Sequence, residues 1–592
     1  MCTRGIVEPR AGCQGNFATR RYGVQVPMKF PLPIRHGICA VAAIVAVFAV
    51  LAGPAAAQQA PIDPETVLLT KLSAKPRGFQ LNAGEARRIA DALPFVRDAK
   101  LKYEPRRTAV MLPLYYVAHP ARYEVVYERG ERTVIDVHVD GITGEVIEKW
   151  AGPQAEMMLA RGYSPSVGGP MNLWYVWLPL GLLFLAPFVN PRRPFRLVHL
   201  DLLVLLGFGV SQYFFNKGEV FTSVPLVYPL LAYLLVRLAL AGFRPRPREE
   251  RLMPYARTAW LVIGLVLLMG FRVGLNITDS AVMDVGYASV IGADRIMHDE
   301  ELYTDNVVHG DTYGPVNYLA YVPFELIFPG NGSRAEVPAA KAAALTFDLL
   351  AVIGLMLLGA RLREGRAGRR LGVAMAFAWA AYPFTLIGLQ SNVNDGLVAV
   401  LLIYALLALT SPAKRGLMIG LATAAKFAPV ALVPLFATGT GEEPRRRSWP
   451  VFGAVFTAIV AGSILLYLPD GGLREFYNCT IGFQMDRFSA MSVWGLHPSL
   501  GWLQDVLKVA GALFAASLAF VPRRRDMRQI AGLGAAVIIA TQLSAVHWFY
   551  FYIPWFTPFA LLAMFAAYRT DESGPIGENT RPGRTSNVAE AH

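Results

Sequence analysis

Apolar residues occur in runs of roughly bilayer length over most of the chain after residue 170. A helix needs about 20 predominantly apolar residues to cross the hydrocarbon core of a membrane. Eleven runs meet or approach this length, at 172–189, 197–215, 222–241, 257–275, 341–360, 371–389, 396–410, 449–468, 503–521, 529–546 and 553–568. The pattern predicts an all-α polytopic membrane domain over residues 166–569.

Two other apolar segments are predicted to enter the membrane without crossing it. Residues 315–329 are short and bracketed by prolines, which favours a re-entrant or interfacial helix. Residues 416–436 have basic residues on both sides, and this places both ends on one face of the membrane. We expect a hairpin that turns near Lys426 and Pro429.

The first part of the chain follows a different pattern. Residues 1–57 contain Met28, basic residues, an apolar stretch and Ala55-Ala56-Ala57, which indicate a start at Met28 and a cleaved signal peptide. A retained anchor helix is the alternative. Residues 58–165 combine a helix-like segment with period-2 runs such as YEVVYE and TVIDVHVD, which predict a small exported α+β domain. Residues 570–592 are polar and are predicted to be a disordered cytoplasmic tail.

The charge distribution predicts the orientation of the chain. The net charge is +13, but the basic residues cluster in short loops between apolar runs, at 190–196, 243–251, 361–370 and 521–528. Basic loops face the cytoplasm, so the N-terminal domain is expected outside a bacterial plasma membrane. Membrane orientation accounts for the basic excess, so no nucleic-acid partner is predicted. After signal cleavage only Cys479 is left, and no disulfide or cysteine-based metal site follows.

Acidic residues concentrate in one segment, Asn276–Gly314, which holds eight carboxylates and one arginine. Other polar groups recur at the predicted outer ends of the helices. We expect them to line one outward cavity with carboxylate, amide and cationic groups, which suits a sugar and a phosphate. The residues concerned are Asp284, Tyr287, Asp311, Tyr313, Asn317, Gln390, Asn392, Asn394, Asp395, Gln484, Asp486, Arg487 and His547.

Lys426 is the one clearly deep charge in this pattern. From Arg415 to Lys426 the helical rise is roughly 16 Å, which places the ammonium near mid-bilayer depth. A lysine at that depth requires a polar cavity or a negative partner. The alternative is that Lys426 extends towards the interface from a differently placed helix.

Two family resemblances rest on these residues. In the N-terminal domain, the run HVDGITGEVIEKW resembles the end of a PepSY domain. The sequence of this domain shows no nucleophile–base pair and no metal cluster. A second resemblance is to the first external loop of integral-membrane GT-C glycosyltransferases. It rests on Asp284, Tyr287, Ala288, Leu302-Tyr303 and the run TYGPVNYLAYVPF. Three later runs are similar to signatures of glycosyltransferase family 87, the polyprenol-phosphate-mannose-dependent type. They are LQSNVNDGL, GLATAAKFAPVALVPLF and HWFYFYIPWF.

The second resemblance implies a reaction and roles for its residues. A sugar, with mannose expected, would pass from a polyprenyl-phosphate donor to an acceptor hydroxyl, with inversion. Asp284 would act as general base, and Asp279 and Asp311 are the other carboxylates in line for that role. Lys426 would meet the donor phosphate, and Arg487 or His547 would assist in binding it. Tyr287, Tyr313, Gln390, Asn392 and Asn394 would contact the sugar or acceptor.

Several alternatives stay open at this point. Asn392 and Asn394 are equally suited to capping the helix that begins near Asp395, and His547 lies in an aromatic belt typical of membrane interfaces. No tightly bound cofactor and no metal ligand set are predicted, and a need for a divalent metal is left open. The acceptor is a glycan, a lipid or a protein. The rival functions are a non-catalytic receptor or assembly factor acting through the PepSY-like domain, and a transporter.

Overall fold

A computed structural model describes residues 66–73, 75–113, 121–130, 132–162, 167–303, 312–329, 337–442 and 444–570. All of them belong to one compact unit, Ala57–His592. The predicted signal peptide, the predicted tail beyond Thr570, and Asp311 lie outside the described residues. For Asp486 the backbone alone is described.

The N-terminal domain is an antiparallel meander with two helices on one face. Its strands are β1 (Thr66–Leu68), β2 (Arg107–Pro113), β3 (Arg122–Arg129), β4 (Arg132–Asp140) and β5 (Val146–Ala151), paired in that order. Helices α1 (Ala83–Ala92) and α2 (Pro94–Tyr103) precede β2. Helix α1 begins with a capping box, in which Asn82 and Glu85 each accept the other's backbone N–H. The predicted α+β architecture is therefore present.

Alternation along the central strands explains how this sheet is covered. Tyr123, Val125 and Tyr127 of β3 pack with the alanines of α1 in one apolar core. The opposite face of β3 presents Arg122 and Glu124, which are also buried. Both faces of the sheet are thus buried. One face packs against the two helices, and the other carries the buried charged side chains.

The rest of the described chain is helical. A short helix, α3 (Pro153–Glu156), follows β5. The later helices are α4 (Trp174–Leu185), α5 (Leu197–Asn216), α6 (Val220–Phe243), α7 (Thr258–Thr278), α8 (Asp284–Met297), α9 (Pro315–Leu319), α10 (Val322–Ile327), α11 (Pro338–Leu362), α12 (Gly365–Ala381), α13 (Pro383–Gln390), α14 (Asp395–Leu407), α15 (Pro412–Ala425), α16 (Val433–Thr438), α17 (Arg445–Leu466), α18 (Gly472–Tyr477), α19 (Phe483–Asp486), α20 (Val493–Leu496), α21 (Gly501–Ser517), α22 (Met527–Leu543) and α23 (Ile553–Phe565).

Each of the eleven predicted crossings coincides with a helix or a bent pair of helices. By length and composition, five described helices are long and apolar enough to cross a membrane, or six if the bent pair counts as one span. That pair is α12 and α13, which meet at 57°. Pro383 lacks an N–H and occupies the first position of α13, so the helix breaks there. The chain is an all-α polytopic membrane protein with a small N-terminal α+β domain.

The segment around residue 426 forms the predicted hairpin. Helix α15 ends at Lys426, a short helical turn follows, and α16 runs back against α15. The two ends meet, because Nε of Arg415 donates to the carbonyl of Phe436 at 2.9 Å. The other proposed re-entrant segment consists of two short helices, α9 and α10.

One prediction about the acidic segment is corrected. It was expected to be a loop, but Asp284–Met297 is a 14-residue helix. Asp284 is its first residue, where a carboxylate interacts favourably with the helix dipole. Its apolar side, which includes Tyr287 and Val290, packs into the membrane-domain core.

Candidate functional site

A cavity of about 1050 Å³ brings together charged residues from distant parts of the chain. Among the described residues that line it, the carboxylates are Asp284 and Asp395. The cations are Lys426, Arg487 and Lys508. Tyr313, His547, Tyr552 and Trp555 also line the cavity, together with several apolar side chains. Of the nine residues given site roles from sequence, five therefore lie along one cavity: Asp284, Tyr313, Lys426, Arg487 and His547.

Lys426 is held in the cavity wall by an ion pair and three aromatic rings. Its Nζ donates to Asp395 Oδ1 at 2.7 Å, and the two side chains are 9% and 2% exposed. The ammonium lies 5.1 Å from the ring centroid of Tyr313, 5.9 Å from that of Tyr552 and 5.5 Å from that of Trp555. Cation–π contacts of this kind stabilise a desolvated ammonium. The negative partner required for a deep lysine is thus Asp395.

Asp395 was noted in the sequence but was given no role. It is the first residue of α14, and its Oδ1 also accepts a hydrogen bond from Trp555 Nε1 at 2.8 Å. The carboxylate therefore joins the hairpin to helix α23. Both donors bind the same oxygen, so Asp395 is already engaged in an ion pair and a hydrogen bond with the protein.

Local chain geometry brings Tyr313 to this lysine. The backbone N–H of Gly314 donates to the carbonyl of Ala425 at 3.2 Å. A Cβ at Gly314 would lie only 2.0 Å from the carbonyl oxygen of Ala424, so only glycine allows this approach. The segment therefore lies against the end of α15, beside Lys426.

Asp284 and Arg487 are the charged groups of the cavity with unengaged side chains among the described residues. Asp284 is exposed, and its Oδ1 accepts only the backbone N–H of Val285, at 2.8 Å. Arg487 is half-buried directly after α19, and no described group forms an ion pair or side-chain hydrogen bond with it. An anion and a cation thus face one space and are available to a ligand.

His547 occupies the same cavity as a neutral group. Burial, and then the positive charges of Arg487 and Lys426, hold the pKa of His547 well below its usual range. Its Nδ1 is hydrogen-bonded to Ser489 Oγ at 2.7 Å. His547 can therefore offer a hydrogen bond to a ligand.

The remaining four predicted site residues do not line this cavity. Tyr287 is 8% exposed and packs in the membrane-domain core. Asn394 is buried, and its Nδ2 donates to Ser289 Oγ at 3.2 Å. Gln390 and Asn392 are also buried, and their amides bind the chain itself. All four side chains are buried away from the cavity, so their positions do not support contact with a sugar. Oδ1 of Asn394 has no hydrogen-bond partner among the described residues.

Gln390 and Asn392 instead hold the segment that leads to Asp284. The side chain of Gln390 bridges the carbonyl of Asp279 and the N–H of Asn276, at 2.7 and 3.1 Å. Asn392 Nδ2 donates to the carbonyl of Ala281 at 2.8 Å, while its Oδ1 accepts from Asn276 Nδ2 at 2.8 Å. Two backbone hydrogen bonds continue this pairing, from Ala281 to Gln390 and from Met283 to Ser391, at 3.1 and 3.0 Å.

The backbone of Asn392 adopts the left-handed conformation, at φ 47°. Asparagine tolerates that conformation better than most residues. A Cβ at Gly286 would lie 2.1 Å from the carbonyl oxygen of Asn392, so the start of α8 packs directly on this turn. The pairing fixes Asp284 at the cavity, and Asn392 acts as a positioning residue.

The N-terminal domain contains a buried cluster that the sequence did not reveal. Ligand atoms of Glu124, Asp136 and His138 lie within 4.8 Å of one another. Arg122 NH1 lies 3.2 Å from His138 Nδ1, and Arg161 is hydrogen-bonded to Asp136. An arginine only donates, so Nδ1 of His138 accepts and Nε2 carries the proton that points at Asp136, 3.3 Å away. The cluster fits a charge network better than a cation site, because its histidine presents a proton and its edges carry arginines.

Burial and the neighbouring charge of Asp136 raise the pKa of Glu124 to about 7. The neighbouring guanidinium groups of Arg161 and Arg122 oppose this rise. Glu124 and Asp136 cannot both be ionised at low cost in a buried space. Glu124 is therefore the member of the cluster whose pKa is shifted towards neutral pH.

Comparison with known proteins identifies part of the chain. Residues 312–547 match glycosyltransferase family 87. They include Tyr313, Asp395, Lys426, Arg487 and His547, whereas Asp284 precedes them. No curated protein sequence matches the chain.

A solved structure with some similarity is the crystal structure of ArnT from Cupriavidus metallidurans bound to undecaprenyl phosphate. It is 17% identical with a TM-score of 0.37, and the match covers 53% of this chain and 60% of that chain. The chain thus matches about three fifths of that protein's length. The family match confirms the resemblance to family 87 over the segment that builds most of the cavity.

Proposed function

We propose that this chain, a membrane glycosyltransferase resembling family 87, moves a sugar from a polyprenyl-phosphate donor to an acceptor hydroxyl on the outer face of the membrane. Mannose is the donor sugar that the family resemblance favours. The observation that carries the proposal is that one cavity holds an unengaged carboxylate and an unengaged guanidinium beside a buried lysine.

The proposed reaction is a direct displacement. The acceptor oxygen gives its proton to the carboxylate of Asp284 and forms a bond to the anomeric carbon. The bond from that carbon to the phosphate oxygen breaks, and polyprenyl phosphate leaves with the electron pair. One displacement inverts the anomeric configuration, and it requires a base on one side and positive charge on the other.

The two cations contribute unequally in this mechanism. Lys426 is already balanced by Asp395, so it supplies hydrogen-bond donors and only part of its charge. Arg487 has no described counter-ion and supplies most of the charge that offsets the leaving phosphate. Its planar guanidinium also fits two phosphate oxygens at once. His547, as a neutral group, donates or accepts one hydrogen bond.

Asp284 is preferred over other carboxylates for a geometric reason. Asp279 is exposed but does not line the cavity, and Asp395 is bound to Lys426 and Trp555. Asp311 lies outside the described residues. Asp284 is thus the described carboxylate that lines the cavity without a described ion-pair partner.

The test is sugar transfer in proteoliposomes that contain polyprenyl-phosphate-mannose and a lipid and glycan extract from the producing cell. Asp284→Asn should lower kcat by about a hundredfold or more, because a general base typically contributes that much, and should leave donor binding unchanged. Asp279→Asn is the matched control and should retain wild-type activity. Equal transfer by wild type and Asp284→Asn would exclude Asp284 as the base. No transfer from any polyprenyl-linked sugar would favour the receptor or transporter functions.

A further inference from the structure

The N-terminal domain is fastened to the membrane domain close to the cavity. Directly after β5, Gln154 Nε2 donates to the carbonyl of Gly218 at 2.8 Å, at the end of the turn between α5 and α6. A Cβ at Gly162 would lie 2.5 Å from the backbone nitrogen of Gly218, so the two backbones are in close contact. Arg161 binds Gln154 and Asp136 and thereby ties this segment to the sheet.

The same segment supplies part of the cavity wall. Met157 and Leu159 line the cavity that contains Asp284 and Arg487. Met158, which lies between them, does not line it and is 47% exposed. The alternation means that two side chains are directed to the cavity while their neighbour faces away.

A second contact joins the domain to the loop that carries Arg487. The guanidinium carbon of Arg132, at the start of β4, lies 5.3 Å from the ring centroid of Phe488. Phe488 also lines the cavity, directly after Arg487. The domain therefore supplies Met157 and Leu159 to the cavity wall and contacts a further residue of that wall, Phe488, through Arg132.

We infer that Met157 and Leu159 select the acceptor in the reaction proposed above, on which this inference rests. The polyprenyl chain of a donor must lie among the membrane helices, whereas a folded domain with charged strands lies in water. The wall that this domain supplies is therefore on the acceptor side. A thioether and an isobutyl group offer no hydrogen bonds, so they favour an acceptor with an apolar face beside its reacting hydroxyl.

Two sources can supply such a face: an alkyl chain on a lipid-linked acceptor, or the C–H face of a sugar ring in a glycan. The experiment separates them by extracting acceptors from the producing cell into an organic-phase lipid pool and a delipidated aqueous pool. Transfer from polyprenyl-phosphate-mannose is then measured with each pool, using the full chain in proteoliposomes.

Leu159→Trp, Leu159→Ala and the matched control Met158→Trp are compared with wild type. Leu159→Trp should lower kcat/KM for the acceptor pool by about tenfold or more, with donor KM within about twofold of wild type. Leu159→Ala, which cannot clash, should lower it by about fivefold through lost apolar contact. Met158→Trp should behave as wild type, and the thermal unfolding of all three variants should match it.

Each outcome decides the inference. A lower kcat/KM of the Leu159 variants with the lipid pool supports the inference and indicates that an alkyl chain contacts Leu159. A lower kcat/KM with the aqueous pool supports it and indicates that a sugar face makes this contact. Equal activity of Leu159→Trp and Met158→Trp, or an effect confined to donor KM, overturns the inference. The proposed function still stands in that case, provided that the wild-type protein transfers the sugar. Absence of transfer by wild type overturns both.

Discussion

The ion pair between Lys426 and Asp395 gives the most demanding prediction. The two side chains are almost fully buried and 2.7 Å apart, so removal of one leaves an uncompensated charge. Loss of one partner of a buried pair typically costs about 3–5 kcal/mol. Asp395→Asn and Lys426→Met should each destabilise the fold by that order. Asn at 395 keeps an oxygen for Trp555, so the lost charge dominates the first variant.

The double variant should be more stable than either single variant, because both charges are absent. We expect a coupling free energy of about 3 kcal/mol or more from the complete cycle, because the double variant loses less than either single variant. The assay is thermal or chemical unfolding of all four proteins in the same detergent. Additive effects of the two substitutions would refute the reasoning that these groups balance each other in a buried space.

The same cycle separates stability from function. Polyprenyl phosphate should raise the melting temperature of Asp395→Asn more than that of wild type, because the ligand supplies the missing negative charge. The double variant should recover stability without recovering transfer, since the ammonium is absent. Recovery of transfer by the double variant would remove Lys426 from the proposed phosphate site.

Other predictions address the remaining groups. Arg487→Ala should raise donor KM by about tenfold or more with little change in melting temperature. Arg487→Lys should restore only part of the affinity, because a lysine cannot bind two phosphate oxygens side by side. Steady-state kinetics with varied donor concentration test this, and an unchanged donor KM would contradict it. Asn392→Ala should destabilise the fold by about 1–3 kcal/mol and lower kcat, because it removes the hydrogen bonds that fix the approach to Asp284; unchanged unfolding would contradict that positioning role. The raised pKa of Glu124 means that the folded domain binds a proton more tightly than the unfolded chain, so its stability should fall as pH rises from about 4.5 to about 7. Glu124→Gln should flatten that dependence, measured as pH-corrected hydrogen-exchange protection of β3, and an unchanged slope would assign the titration elsewhere.

The fold followed from the sequence more completely than the site did. Apolar length and the positions of arginine clusters were enough to place the helices and the hairpin at Lys426, because these features depend on local sequence and the bilayer. The acidic segment was the exception, since α8 buries its apolar side against other helices. That contact is tertiary and leaves only a weak periodic signal in a stretch rich in carboxylates.

The sequence predicted that charged groups from separate helices share one cavity, but it did not separate side chains that line the cavity from those that form internal hydrogen bonds. Asp284, Arg487 and Lys426 do line one cavity. Gln390 and Asn392 carry the same hydrogen-bonding groups whether they bind a sugar or the backbone near Asp284, so their chemistry could not decide between these partners. The role of Asp395 depends on a contact with a residue 31 positions later, which becomes visible only in three dimensions.

The closure of the hairpin at Arg415 has a consequence for membrane topology. NH2 of Arg415 donates to Ser448 Oγ at 2.9 Å, and Ser448 in turn donates to the carbonyl of Ala437 at 2.7 Å. We propose that the segment leaves the membrane on the face where it entered. The segment then adds no net crossing. The number of crossings, even or odd, decides whether the two chain ends lie on the same side of the membrane, and this number does not depend on the segment. Reporter tags inserted before α15 and after α16 should therefore report the same compartment.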